Sequence, residues 1–166
     1  MAFEKTPRGT YGPKMPSFVA PAVKFMNNQM IRRYRRRSAA SGGKAMGMDA
    51  LVLTTVGAKT GQRRQTLLGT FPDGDGAWLI VASAGGQAAN PAWYYNLAAH
   101  PDQVQIEIDG RKVPVTAEQL HGAEREQAWQ QVITAAPRFV QYQVKTDRQL
   151  PIIRLTPRSG GEAPPD

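Results

Sequence analysis

Aspartate–glycine turns punctuate a series of short apolar runs, and that alternation limits the fold of this chain more than any other feature. Asp73-Gly74-Asp75-Gly76 and Asp109-Gly110 are tight-turn sequences. Such pairs close antiparallel hairpins because glycine and aspartate accept the left-handed backbone the turn requires. The flanking runs Leu51–Thr55, Gln65–Phe71, Ala77–Ser83, Gln103–Asp109 and Lys112–Gln119 read as strands. Val104, Ile106 and Ile108 alternate with polar residues, so one face of that strand is buried. Gly122 to Ala136 reads as a helix with Trp129, Val132 and Ile133 on its apolar side, and Ile152–Leu155 as a closing strand. Short strands, hairpins and few helices predict a mainly β (α+β) domain built as a small antiparallel β-barrel.

Three regions follow: a leader over 1–43, a core over 44–157 and a Pro/Gly tail over 158–166 that reads as disordered. Residues 1–14 read as loosely ordered. From Met15 onward, Phe18, Val19, Ala22, Val23, Met26, Met30 and Ile31 recur at helical spacing, with Pro16 in the first turn and Pro21 making the start irregular. The helix ends in Arg32-Arg33-Tyr34-Arg35-Arg36-Arg37, and Ser41-Gly42-Gly43 reads as a linker. Over residues 15–37 a basic amphipathic helix suits an anionic membrane surface; a helix packed on the barrel with a solvated basic end fits the sequence equally.

Among 166 residues there are 21 Lys+Arg against 13 Asp+Glu, a net charge of +8, which favours an anionic partner. Cysteine is absent, excluding disulfides, Fe–S clusters, Cys-ligated zinc and a thiol nucleophile. No metal site is expected. His100 and His121 read as structural or surface residues. No H-E-x-x-H, G-x-S-x-G or G-x-G-x-x-G occurs. Without the motifs of common nucleic-acid modules, no nucleic-acid partner is expected. With no secretory pattern and no apolar run near the ~20 residues of a spanning helix, the expected location is cytoplasmic, with peripheral placement on the inner face of the membrane.

Two loops carry the chemistry. Thr54 to Thr66 follows the run Leu51-Val52-Leu53 and holds Gly57, Lys59, Thr60, Gly61, Arg63, Arg64 and Gln65. Glycine exposes backbone N–H groups, lysine adds a point charge and arginine a planar fork for carboxylate or phosphate. Read alone, this is an anion loop or simply a basic β-turn. The second loop, Ser83-Ala84-Gly85-Gly86, leads through Asn90, Pro91, Ala92, Trp93, Tyr94 and Asn96. Asn90 reads as an N-cap and Pro91 as the first helical residue, giving free N–H donors to an anion or a carbonyl-rich ring.

Together these motifs resemble the deazaflavin-dependent nitroreductase and quinone reductase family. The resemblance rests on Thr54-Thr55, Gly57, Lys59-Thr60-Gly61, Arg64, Ser83, Gly85-Gly86, Pro91, Trp93-Tyr94, Asn96-Leu97 and Thr146-Asp147-Arg148-Gln149-Leu150-Pro151, over roughly Leu51 to Pro157. It implies a split β-barrel with flanking helices and coenzyme F420, a deazaflavin bearing a phosphate and an oligoglutamate tail. Lys59, Thr60 and Arg64, with Arg63 added from charge alone, would hold phosphate and glutamates. Ser83 to Gly86 and Pro91 to Tyr94 would line the ring.

The resemblance implies a reductase that moves a hydride from the reduced deazaflavin to a quinone or a conjugated enone or lactone. The family's tyrosine-rich Y-P-x-Y-x-x-Y segment is here Ala136-Pro137-Arg138-Phe139-Val140-Gln141-Tyr142. Phe139 donates no proton, which disfavours nitroimidazoles and leaves Tyr142 as the expected catalytic donor, beside Arg138 and water. Leu67 stands where the family often has proline. Two alternatives remain: an FMN oxidoreductase on the same barrel, and a non-catalytic F420 carrier at the membrane. Split barrels commonly pair, so a homodimer is a further expectation.

Overall fold

The computed structural model describes residues 3–41, 44–45, 48–74 and 76–158. A 3-10 turn at Ser17–Val19 enters α1 (Ala20–Ser41). Five strands follow: β1 (Lys44–Ala45), β2 (Met48–Val56), β3 (Arg63–Gly69), β4 (Phe71–Asp73) and β5 (Ala77–Val81). A second 3-10 turn, Ala84–Gly86, leads to α2 (Ala92–Ala99), and then β6 (Val104–Ile108) and β7 (Arg111–Gln119). The chain closes with α3 (Gly122–Ala135), α4 (Arg138–Val144) and β8 (Ile152–Pro157). The strand order is β1-β2-β6-β7-β8-β5-β4, with β3 on the other side of β2. Each of these pairings is antiparallel. The sheet is mainly β architecture of the expected kind.

Period-two alternation positions the core. Leu51 and Leu53 of β2 join Ile80, Tyr94, Leu97, Ile106, Val115 and Ile153 in the main cluster. Their neighbours Ala50 and Val52 point the other way, onto Ile31 and Tyr34 of α1. The Tyr34 hydroxyl donates to the Ala50 carbonyl at 2.6 Å. A further cluster joins Phe71, Leu79, Leu150 and Ile152 to Val132 of α3 and Phe139 of α4. Asp109 and Gly110 have φ of 51° and 75°, the two left-handed residues of a type I′ hairpin between β6 and β7.

The expected strands and the Gly122 helix are present with shifted ends. The run Gln65–Phe71 divides at Thr70, whose amide bonds the Asp49 carbonyl and whose hydroxyl bonds the Leu79 carbonyl. The leader departs from expectation. Gly9 N–H donates to the Ala88 carbonyl, Thr6 N–H to the Tyr94 hydroxyl, and the Thr10 hydroxyl and amide to Asp147. Bonds to Tyr94, Ala88 and Asp147 thus strap residues 6–10 down, an effect that composition does not reveal. The helix also begins later than expected, and of its apolar side only Ile31 is buried, beside Tyr34, while Phe18, Val23, Phe25 and Met26 stay exposed. The reason is that its first turns overhang a groove instead of a sheet. The linker Gly42-Gly43, the turn residue Asp75 and the tail 159–166 lie outside the described residues.

Candidate functional site

The basic loop is a hairpin between β2 and β3. Gly57 N–H donates to the Gln62 carbonyl and Gly61 N–H to the Gly57 carbonyl. Gly61 sits at φ 69°, and a Cβ on Gly57 would meet the Thr60 hydroxyl at 2.7 Å. Both glycines thus serve loop closure, and their amides are spent within the turn. Asn96 of α2 fixes the loop from behind: its Oδ1 accepts the Ala58 N–H at 2.9 Å and its Nδ2 donates to the Thr55 hydroxyl at 3.1 Å. The loop is left to present side chains.

Those side chains line a groove of about 1590 Å³ between the loop, α1 and the start of α2. Gly57, Lys59, Thr60, Arg63, Arg64, Gln65 and Thr66 meet there with Ala92, Trp93 and Asn96. Sequence reasoning missed the rest. Lys24 and Arg35 come from α1 and Lys112 from β7; Tyr95 from α2; and Met15, Ala20 and Val23 add apolar wall. Lys24, Asn28 and Arg35 are spaced to share one flank of a helix, and that spacing was the available signal. Six cations thus face the groove against the single carboxylate Glu107. Arg35 Nε lies 2.9 Å from Glu107 Oε2. Thr54 and Gln65 of the lining pair across β2 and β3, and Gln105 of β6 pairs with Thr54 on its other side, outside the lining. Gln105 is buried and its Oε1 has no hydrogen-bond partner among the described residues. This donor set fits an extended polyanion carrying a flat ring. The cations suit its charges, and Trp93 and Tyr95 offer aromatic surface.

The second glycine segment lies behind α2. Arg148, 2% exposed, donates to the carbonyls of Ala82, Ser83 and Gln87 and to Asn90 Oδ1. Burial pushes its guanidinium below the usual value, with Tyr95 and Tyr94 acting the other way. Ser83, Ala84, Gly85 and Gly86 therefore wrap a buried cation. Gly86, at φ 85°, also passes so close beneath the Tyr142 carbonyl that a Cβ has no room. The sequence led us to expect Asn90 as the N-cap of α2, and the structure does not bear this out. Pro91 holds the N-cap position without a side-chain bond, because the Asn90 amide is engaged by Arg148 and the Thr6 carbonyl. Tyr94 is fully buried and donates to Gln119 Oε1 at 2.6 Å.

The acceptor-side residues share α4, away from the groove lining. Phe139 is buried between Phe71 and Tyr142, edge-on to both. Tyr142 is half-buried with Lys145 over its ring. Arg138 NH2 lies 2.7 Å from Met48 Sδ. Among the described residues no cluster of metal-ligating side chains occurs, and no helix is long and apolar enough to cross a membrane.

A family model and curated relatives name one family. The model described as F420H(2)-dependent quinone reductase matches residues 26–157. An F420H(2)-dependent quinone reductase of Mycobacterium tuberculosis is 42% identical over 129 residues, 75% of this chain and 85% of that protein. The solved structure of an F420-H2 dependent reductase, FDR-A, is 36% identical, covers 64% of this chain and 92% of its own, and superposes with a TM-score of 0.58. Another, described as a domain-swapped dimer, is 30% identical over 81% of this chain and 98% of its own, with a TM-score of 0.61. The curled sheet is accordingly a split barrel. The chain belongs to the F420H(2)-dependent quinone reductase family and is an oxidoreductase that takes coenzyme F420 as its hydride donor.

Proposed function

We propose that this protein reduces a quinone, or a conjugated enone or lactone, inside the groove between α1, the β2–β3 loop and α2. The observation that carries the reading is the six cations against one carboxylate around a groove with an aromatic end. Lys59, Thr60, Arg63 and Arg64 hold the phosphate and the first carboxylates. FMN, with one phosphate, would leave most of those cations unused. When bound, the reduced deazaflavin supplies a hydride, a two-electron donor. Trp93 and Tyr95 wall the ring, Met15, Ala20 and Val23 close the opposite side against water, and the apolar wall accepts a lipid-soluble acceptor.

Reduction of a quinone also needs a proton. Tyr95, 37% exposed on the groove wall and within 3.4 Å of the Asn90 amide, is the nearest phenol to that space. Tyr142, Arg138 and Phe139, expected from sequence on the acceptor side, lie on α4 outside this groove's lining; a loss of turnover in Tyr142→Phe would favour an acceptor position at α4 over the groove. Fluorescence titration with oxidised F420 should show saturable quenching. The double variant Lys59→Ala, Arg64→Ala should weaken binding roughly tenfold, at up to about 1 kcal/mol per exposed pair. Binding of FMN in place of F420 would overturn the reading, as would an unchanged affinity in that variant. Anaerobic turnover against quinones, enones and nitroaromatics then ranks the acceptors.

The exposed Phe18, Phe25 and Met26, with Arg32, Arg33, Arg36 and Arg37, support docking of α1 on an anionic membrane from the cytoplasmic side. Replacing the four arginines with glutamine should release the protein from anionic vesicles. Retention would place membrane binding elsewhere. The domain-swapped neighbour supports a homodimer, which sedimentation tests.

A further inference from the structure

We propose that Asn90 is a positioning residue for proton delivery: clamped by Arg148 and the leader, it fixes the Tyr95 hydroxyl as the proton donor to the acceptor's oxygen. The proposal rests on the reading that the groove holds the reduced deazaflavin and its acceptor. The orientation of the Asn90 amide follows from its neighbours. A guanidinium only donates, so the Asn90 atom 2.7 Å from Arg148 is the amide oxygen. The amide nitrogen therefore faces the other way. One of its N–H groups goes to the Thr6 carbonyl at 2.9 Å, which can only accept. The second meets the Tyr95 hydroxyl at 3.4 Å. Asn90 is 5% exposed, so its amide has no water to turn to instead.

The phenol oxygen of Tyr95 thus accepts, and its own hydrogen has no acceptor among the described residues. Tyr95 lines the groove, and its ring is braced edge-on against the buried Tyr94, with centroids 5.5 Å apart. In the proposed step the hydride from the deazaflavin carries two electrons to the quinone or enone, and negative charge collects on the carbonyl oxygen. The Tyr95 O–H bond breaks as an O–H bond forms on that oxygen. Water at the groove mouth returns a proton to the phenol. The buried Arg148 cation behind Asn90 attracts the negative charge left on the phenol oxygen in the interval.

Asn90→Asp is the discriminating variant. The carboxylate keeps the bond to Arg148 but has no N–H, so the Tyr95 hydroxyl turns to donate to it and its hydrogen is no longer free. In ligand-free protein the Tyr95 ζ-carbon NMR signal, assigned through Tyr95→Phe, should move in Asn90→Asp. Single-turnover oxidation of reduced F420 by a short-chain naphthoquinone should slow about a hundredfold in Tyr95→Phe, and by a similar factor in Asn90→Asp. The Kd for F420 and the KM for the quinone should stay within about twofold of wild type. The double variant should be no slower than either single one, because both remove the same step. Urea unfolding checks that the variants fold; Tyr95→Phe leaves the other bonds of Asn90 intact and is a test by itself if Asn90→Asp is unstable. A Tyr95→Phe rate within about threefold of wild type, an unmoved carbon signal, or a double variant slowed by the product of the single effects overturns this proposal while the cofactor reading stands. If F420 does not bind the wild-type protein, the cofactor reading itself falls.

Discussion

Removing the guanidinium of Arg148 should cost this fold a large share of its stability. The side chain reaches four neutral acceptors: the carbonyls of Ala82, Ser83 and Gln87 and the amide oxygen of Asn90. Ser83 and Gln87 are half-buried, so water can replace the lost donor there. Ala82 and Asn90 are buried, at 0% and 5% exposure. An orphaned buried acceptor costs about 1–3 kcal/mol, so two of them predict a loss of about 3–4 kcal/mol for Arg148→Ala. That compares with about 5–15 kcal/mol for a whole domain. Urea unfolding followed by tryptophan fluorescence measures it, with an unchanged slope showing that the native state stays compact. Arg148→Met separates the causes: it fills most of the volume and supplies no donor. A Met variant as stable as wild type, or an Ala variant within about 1 kcal/mol of it, would refute the view that hydrogen bonding organises this segment.

Three further outcomes are expected. The Thr10 hydroxyl, with the Thr10 and Tyr11 amides, holds the Asp147 carboxyl below the usual carboxylate range. A depressed folded value means the strap's stabilisation is complete above the ordinary value of about 3.9 and is lost as pH falls through the folded one; the protection of the Thr10 amide, relative to its intrinsic exchange rate at each pH, should hold at neutral pH and fall only in acid. Asn96→Leu keeps the volume but removes both bonds to the loop, and should lower stability by about 2 kcal/mol and weaken F420 binding, measured by denaturation and titration. Phe139→Tyr buries a hydroxyl among Phe71 and its neighbours and should cost about 1–3 kcal/mol, with thermal unfolding as the measurement.

The sheet was legible because strands announce themselves locally. Val104, Ile106 and Ile108 alternate, and Asp109-Gly110 permits one kind of turn. The loop cations were legible because they follow β2 directly. What stayed hidden depends on distant segments. Arg148 is one arginine among many until the fold wraps Ser83 to Asn90 around it. The second glycine segment reads as a ligand loop, and the sequence does not show that its Gly86 also packs beneath α4. Lys24 and Arg35 gain meaning only when α1 crosses β3. The leader strap escapes composition because its stability comes from Asp147, far along the chain.

The amide of Asn27 has a consequence beyond the groove. β3 pairs with β2 on one side, and on its other margin Asn27 donates to the Gln65 carbonyl at 2.9 Å and accepts the Leu67 N–H at 3.3 Å. A primary amide thus impersonates the peptide group of an absent neighbour. It satisfies a margin that would otherwise recruit a strand from a second molecule. Solubility and ligand capture are therefore inherited through the same helix, and a lineage that sheds it exposes a self-templating border as it loses the wall.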